Sequence, residues 1–281
     1  MKRLETEHGI SALTRVFGVS RSAYAQWKKR EPSAREQANR KLDGQIREVF
    51  GEHRSRYGSP RVSRVLQARQ VICGENRVTR RMKVLGLAAR KKRGFVPRTT
   101  DSRHGGPIAA NRLLESVAPC RIDQVWRGDM TYIATGEGWL YLAAVLDGYS
   151  RRLLGWATDE RMGSALVCEA LEGARRQRGE VRGVIVHTDR GSQYASADYR
   201  SVLKTLGATA SMSRKANCYD NAAMESFWST LKTELFGDNL PATRTQARTM
   251  IFEYIEIFYN RRRLHSSLGF TSPVDFENNL N

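Results

Sequence analysis

Three carboxylates in this 281-residue chain stand where their chemistry needs explaining. Asp129 interrupts the strand-like run RGDMTY, although Asp is disfavoured in strands. Asp189 closes the apolar run GVIVHTD, at the carboxyl end of a strand, where open α/β sheets place ligands. Glu225 borders the helical stripe formed by Met224, Phe227, Trp228, Leu231 and Leu235 in NAAMESFWSTLKTELF. A half-withdrawn carboxylate requires a cation, a hydrogen-bond donor or a metal. Taken singly, the three read equally well as an edge acid, a turn acid and an outward-pointing Glu. Taken together they form a set of hard oxygen donors of the kind that holds Mg²⁺ with substrate phosphates. Two such ions, about 3.5–4 Å apart, can serve both the attacking and the leaving oxygen of an in-line phosphoryl displacement.

The elements that must position these acids follow from periodicity. Beyond Cys120, the runs QVWRGDMTYIAT, GWLYLAAVLDGYS and RRLLGWATDE read as an antiparallel meander. A helix at 164–176, the strand GVIVHTD, a helix from Ser196 to Leu206, the short strand ATASMS and the Glu225 helix complete a mixed α/β domain. The first third reads as helical. Helices are expected over Ile10–Phe17 and after the Ser20 cap, with Tyr24 and Trp27 turned inward. Another begins at Ser33 with Ile46, Val49 and Phe50 as its apolar side, one begins at Pro60 behind a Ser59 cap, and one follows Gly74. Both hairpins fit helix-turn-helix spacing, and both also fit plain helical hairpins.

Charge separates the two textures. Residues 1–100 carry 25 Lys+Arg against 8 Asp+Glu, and residues 101–281 carry 22 against 21. A folded basic module joined to a nearly neutral one points to a polyanion, above all nucleic acid. Arg21 and Lys28 on the first hairpin, and Arg61, Arg64, Arg77, Arg80, Arg81 and Lys83 on the second, are the candidate phosphate-binding cations. The segment RKKRGFVPRTTDSRHGGP lacks either periodicity and reads as a linker whose Lys91, Lys92 and Arg93 can track a phosphate backbone. The divisions expected are 1–32, a first helix-turn-helix; 33–89, a second helical DNA-binding module; 90–119, a basic linker; and 120–281, the catalytic domain with a helical extension. Cys73, Cys120, Cys168 and Cys218 form no C-x-x-C pair, so neither a zinc cluster nor a disulfide framework is expected. With no apolar leader and no long apolar run, a soluble cytoplasmic protein without membrane association is expected.

The stretches VWRGDMTYI, VLDGYSRRLLGW, VIVHTDRGSQYAS, SRKANCYDNAAMESFWSTLKTEL and YNRRRLHSSLGFTSP resemble the DDE transposases of bacterial insertion sequences, second-reading-frame products related to retroviral integrases. The resemblance covers nearly the whole chain, including the 35 residues between Asp189 and Glu225. It implies an RNase H-like mixed five-stranded sheet with flanking helices, preceded by all-α helix-turn-helix modules. It assigns Asp129, Asp189 and Glu225 as catalytic metal ligands for two Mg²⁺ ions, with Mn²⁺ as a possible substitute. The implied activity is cleavage at the element's ends followed by strand transfer into target DNA. The implied partners are double-stranded DNA at the element ends and target, further copies of the chain, and a companion protein from the upstream frame. In the bacterial cytoplasm, the DNA-bound protein would be nucleoid-associated. Two alternatives use the same features: a non-catalytic DNA-binding regulator, and a hydrolytic RNase H-like nuclease.

Other polar residues carry narrower expectations. Asp147 is expected to hold structure by hydrogen bonding, Asp220 and Asn221 to cap the Glu225 helix, Trp228 to be core, and His187 to be satisfied at a strand end. Lys232, two turns beyond Glu225, is placed to meet a DNA end or simply to face solvent, and Lys215, ahead of the same helix, is a further candidate DNA contact. Arg261, Arg262 and Arg263 are candidate phosphate contacts, while the role of His265, Ser266 and Ser267 stays open.

Overall fold

The computed structural model describes residues 1–90, 105–114, 118–214, 221–237 and 239–280. Lys91, Lys92, Arg93, Lys215 and Asp220 lie outside the described residues. The chain divides into two compact units, Met1–Ala88 and Ala89–Asn281.

The first unit is helical. Helix α1 (Ile10–Val16) and helix α2 (Arg21–Lys29) flank Gly18, whose positive φ of 65° suits the turn. The Ser20 hydroxyl caps α2 by accepting from Ala23 N. Tyr24 is buried as expected, but Trp27 is 57% exposed: it stacks on Tyr24 at 5.6 Å with little else to cover it. Helices α3 (Ala34–Glu52), α4 (Ser59–Ala68) and α5 (Glu75–Val84) close around Leu42, Ile46, Val49, Phe50, Tyr57, Val62, Leu66, Val78 and Met82. Gly58, not Ser59, is the cap residue of α4; the Ser59 hydroxyl accepts from Thr79 Oγ1 of α5 instead.

In the second unit five strands order as β3-β2-β1-β4-β5. β1 (Val125–Thr135), β2 (Gly138–Asp147) and β3 (Leu153–Asp159) form the expected antiparallel meander, and β4 (Ile185–Thr188) and β5 (Thr209–Met212) join parallel to β1. Helix α6 (Ser164–Arg178) leads into β4, and helix α7 (Ala197–Leu206) leads from β4 to β5. Their buried faces, with Trp126, Val145 and Val186, make the main core. Gly155 permits the closest approach, since a Cβ there would collide with Ala170 O and Ala174 N of α6. Helix α8 (Ala222–Leu231) packs on β1, and helix α9 (Arg244–Phe252) packs on β2. Both run on into π-helical turns, Lys232–Phe236 and Glu253–Tyr259, before helix α10 (Pro273–Asn278). No helix among the described residues is long and apolar enough to cross a membrane.

Buried charge ties the C-terminal extension to this frame. Glu234, in the first π turn, accepts from Arg263 Nη2 at 2.7 Å and from the Tyr254 hydroxyl at 2.9 Å. Arg263 is only 5% exposed, so its expected role in phosphate contact is corrected: its guanidinium is spent on Glu234. His265, also buried, sets its ring edge-on to Tyr259, so it belongs to the same structural cluster. Glu277 of α10 gathers Arg152, Arg178 and the Ser150 hydroxyl. Removing one partner of such a buried pair strands the other charge, whereas replacing both with matched apolar groups is often neutral. Glu234→Ala is therefore expected to destabilise the catalytic unit by about 3–5 kcal/mol. Urea unfolding measures this, and a loss too small to resolve would contradict the pairing.

Candidate active site

Strand register brings the first two acids together. β4 pairs with β1 through Val125↔Ile185, Trp126↔Val186 and Arg127↔His187. Continued by two residues, this parallel register sets Asp129 level with Asp189, just past the end of β4. Adjacent strands lie about 4.8 Å apart, so the two carboxylates share one edge of the sheet. The edge is open because β4 stops while β1 runs on to Thr135. Gly191 keeps the following turn tight, its N–H donating to Asp189 Oδ1 at 2.9 Å. Asp129, Asp189, Met130, Tyr132, Tyr141, Met162 and Tyr194 line a pocket of about 110 Å³ along this edge.

Helix α8 supplies the third acid and is laid on β1 by one face. Asn221, Glu225, Trp228 and Lys232 succeed one another at spacings of four, three and four, so they share a stripe. Asn221 Nδ2 donates to Gly128 O at 3.2 Å, Trp228 Nε1 donates to Asp129 Oδ2 at 2.9 Å, and Lys232 Nζ lies 5.0 Å from the centroid of the Tyr132 ring. Glu225, exposed and without a hydrogen bond, sits in the middle of these attachments. The cap expected of Asn221 is corrected here. It occupies the cap position but makes no side-chain cap bond, because its amide is drawn to the strand. Its Oδ1 is buried with no partner, a cost of about 1–3 kcal/mol that a hydrogen-bond donor would cancel.

Electrostatics make this a strained place for anions. Burial, then Asp189, push the Asp129 carboxyl up to about 7, and Glu225 adds to the rise, while the Met130 N–H and the Trp228 indole N–H oppose it. Tyr194 is buried with its hydroxyl unpartnered, and burial followed by Asp129 and Asp189 raises its pKa well above the phenol range. Desolvation lowers Lys232, with Asp129 partly restoring it. Such a site fits a divalent cation: its donors are hard oxygens, and two neighbouring carboxylates crowd a third whose charge only a cation would balance. Among the described residues no three Asp, Glu, His or Cys side chains are yet drawn into a closed ligand set. Asp129 already accepts one donor on each oxygen, and Glu225 faces solvent.

Asp147 and His187 are held in structural hydrogen bonds. Asp147 is fully buried and accepts from the N–H groups of Asp123, Tyr149 and Ser150. His187 is enclosed between Ser211 Oγ at 2.9 Å and Ser213 Oγ at 3.1 Å. Sequence reasoning missed Tyr194 altogether and saw Trp228 only as core; the indole is buried, but its N–H is turned to Asp129. Spacing alone hinted at the second, since Trp228 lies one turn beyond Glu225.

The basic candidates are sorted by their partners. Arg81 makes a bidentate pair with Asp43 and Arg77 donates to Asn39 Oδ1, which corrects their reading as free phosphate contacts; both bind α5 to α3. Lys28 pairs with Glu5 at the surface, and Arg61 lies over the Tyr57 ring. Arg21, Arg64, Arg80, Lys83, Arg261 and Arg262 are exposed.

A five-stranded mixed sheet of this order, with acids on the central strand, beyond its parallel neighbour and on the crossing helix, defines an RNase H-like polynucleotidyl transferase core. Models of the integrase core domain match residues 120–218 and 206–273, and a model of an HTH-like domain matches residues 36–95. The chain is 46% identical over 264 residues to an uncharacterised 31 kDa protein of insertion element IS600 from Shigella sonnei, covering 94% of this chain and 97% of that one. It is 40% identical over 280 residues to the transposase InsF of insertion sequence IS3A from Escherichia coli K12, covering 99% and 97%. Among solved structures, a simian T-cell lymphotropic virus intasome aligns at 17% identity and a TM-score of 0.48, over 76% of this chain and 73% of that one. The chain belongs to the integrase-core transposases of bacterial insertion sequences.

The raised Asp129 pKa carries a stability consequence. Between about pH 4 and pH 7 the folded chain keeps a proton that the unfolded chain has already released, so stability falls as pH rises through that window. In chelator, Asp129→Asn is expected to be more stable than wild type at pH 8, by on the order of 2–4 kcal/mol, and equal to it at pH 4. Thermal unfolding at the two pH values checks this; equal stability at both would mean that Asp129 is not strained.

Proposed function

We propose that this transposase carries out cleavage and strand transfer with Asp129, Asp189 and Glu225 as the ligands of two Mg²⁺ ions, for which Mn²⁺ can substitute. The observation that carries the reading is the joint location of the three acids: one mid-strand on β1, one level with it beyond β4, and one on the α8 face held to β1. The ions would supply Lewis-acid stabilisation of charge developing on phosphate oxygens. The reaction is two displacements at phosphorus: water attacks at the element's end and the 3′-oxygen leaves as a free hydroxyl, and that hydroxyl then attacks a target phosphodiester, whose own 3′-oxygen leaves. Asp129, Asp189 and Glu225 hold the site's charge in place, and Lys232 sets an ammonium beside it for the DNA backbone.

The terminal repeats are bound by the N-terminal third, divided as residues 1–32 and 33–89, with 90–119 as a basic linker and 120–281 as the catalytic domain. Arg21, Arg64, Arg80 and Lys83 are its contacts, joined by Arg261 and Arg262 from the catalytic unit. Joining two ends calls for more than one copy of the chain. The companion of the upstream frame, the cytoplasmic location and nucleoid association when bound belong to the same proposal.

A labelled, pre-nicked DNA end supplied with Mg²⁺ discriminates the outcomes: joined product for a transposase, cutting alone for a nuclease, binding alone for a regulator. Asp189→Asn is expected to abolish joining while leaving DNA affinity within a few-fold, and joining by that variant would remove the metal-site assignment. Replacing Arg80 and Lys83 by Ala is expected to weaken binding and to reduce the slope of log affinity against log salt by about one per lost phosphate contact. Arg81→Ala is expected to unfold the module before it alters that slope; an unchanged slope in the Arg80 and Lys83 variants would reassign the basic surface.

A further inference from the structure

The Glu225 side chain makes no hydrogen bond among the described residues, yet its place relative to Asp129 is set from both sides. Four residues before it, Asn221 Nδ2 reaches Gly128 O, the carbonyl immediately preceding Asp129. Three residues after it, Trp228 Nε1 reaches Asp129 Oδ2 itself. Both side chains are more than nine-tenths buried, Asn221 at 7% and Trp228 at 7% exposure. Asn221 forgoes its cap bond and leaves Oδ1 without a partner in order to make this contact. An indole N–H is a neutral, donor-only group on a rigid ring, so it fixes one oxygen of Asp129 without adding a counter-charge that would compete with a cation. The second oxygen is fixed by Met130 N at 2.8 Å, so the carboxylate plane is held by two donors with a lone pair left on each oxygen.

We propose that Asn221 and Trp228 are positioning residues for transfer, a two-point clamp of α8 on β1 that sets the Asp129 carboxylate to face Glu225. The inference rests on the transposase reading above. Ligand-supporting hydrogen bonds of this kind carry about 10–100-fold in metal affinity or activity. A merely structural Trp228 would act through its ring, which fills the space between Phe227 and β1; a positioning Trp228 acts through its N–H.

The test removes the N–H and keeps the ring. In the full chain, Trp228→Phe and a benzothienylalanine isostere at position 228 are compared with wild type for joining of a pre-nicked end, for Mn²⁺ affinity by electron paramagnetic resonance, and for thermal midpoint. The expected result for the isostere is a joining rate at saturating DNA lower by about 10–100-fold, Mn²⁺ affinity lower by about tenfold, an unchanged KM for DNA and an unchanged midpoint. Asn221→Leu, which removes the donor to Gly128 O without adding a charge, is expected to lower joining and Mn²⁺ affinity likewise. An isostere that joins DNA and binds Mn²⁺ as wild type does would overturn the clamp, whatever Trp228→Phe does to folding. If wild type itself fails to join, the transposase reading fails, and the Mn²⁺ comparison still decides whether the indole N–H sets the site.

Discussion

Three like charges on one sheet edge are the constraint around which this molecule is arranged. Burial first, then the neighbouring Asp189 and Glu225, raise the proton affinity of Asp129. A flexible loop would let the three drift apart. Here Asp129 is placed by β1, Asp189 by the tight turn directly after β4, and Glu225 by a helix whose stripe is bonded to β1 on both sides of it. Rigid elements hold a reactive geometry better than loops because their backbones are already satisfied by hydrogen bonds.

The same logic accounts for the second half of the chain. A helix lying across a sheet edge needs its far end fixed, or its stripe loses register with the strand. Fixing is done by the π turn at Lys232–Phe236, which puts Glu234 into the buried grip of Arg263 and Tyr254, while Arg90 donates to the carbonyls of Glu234 and Leu235. Beyond it, Asn260 clamps Leu153 of β3 with both ends of its amide, and Glu277 collects one arginine from just before β3 and one from the end of α6. Motifs dense in Arg and Glu at the C-terminus therefore serve the frame as much as any ligand.

Among the basic residues, exposure and partnering separate the structural from the available. Arg81 and Arg77 sit one turn apart on α5 and both point back to α3, while Arg80 and Lys83 on the same helix face outward. A guanidinium paired bidentately with a carboxylate is nearly neutral to an approaching phosphate. Arg77, whose partner Asn39 is neutral, and the outward set keep their charge in the field that DNA would feel at a distance.

Much was legible before any coordinates. Strand and helix order, the antiparallel meander and the three acids all follow from alternation, apolar stripes and residue chemistry, because those signals depend on neighbours close in sequence. The positions of Arg81, Arg263, Trp27 and Asn221 were misread for the opposite reason. Whether a cation meets Asp43 or a phosphate, and whether an Asn caps its own helix or reaches Gly128, depends on groups 38, 29 or 93 residues away. Side-chain type sets what a residue can bond to, and that is local. Which partner it finds is decided by how strands and helices stack, because burial makes an unpaired polar group costly and so draws most of them to a donor or acceptor that the fold supplies, with Asn221 Oδ1 and the Tyr194 hydroxyl left over at the site.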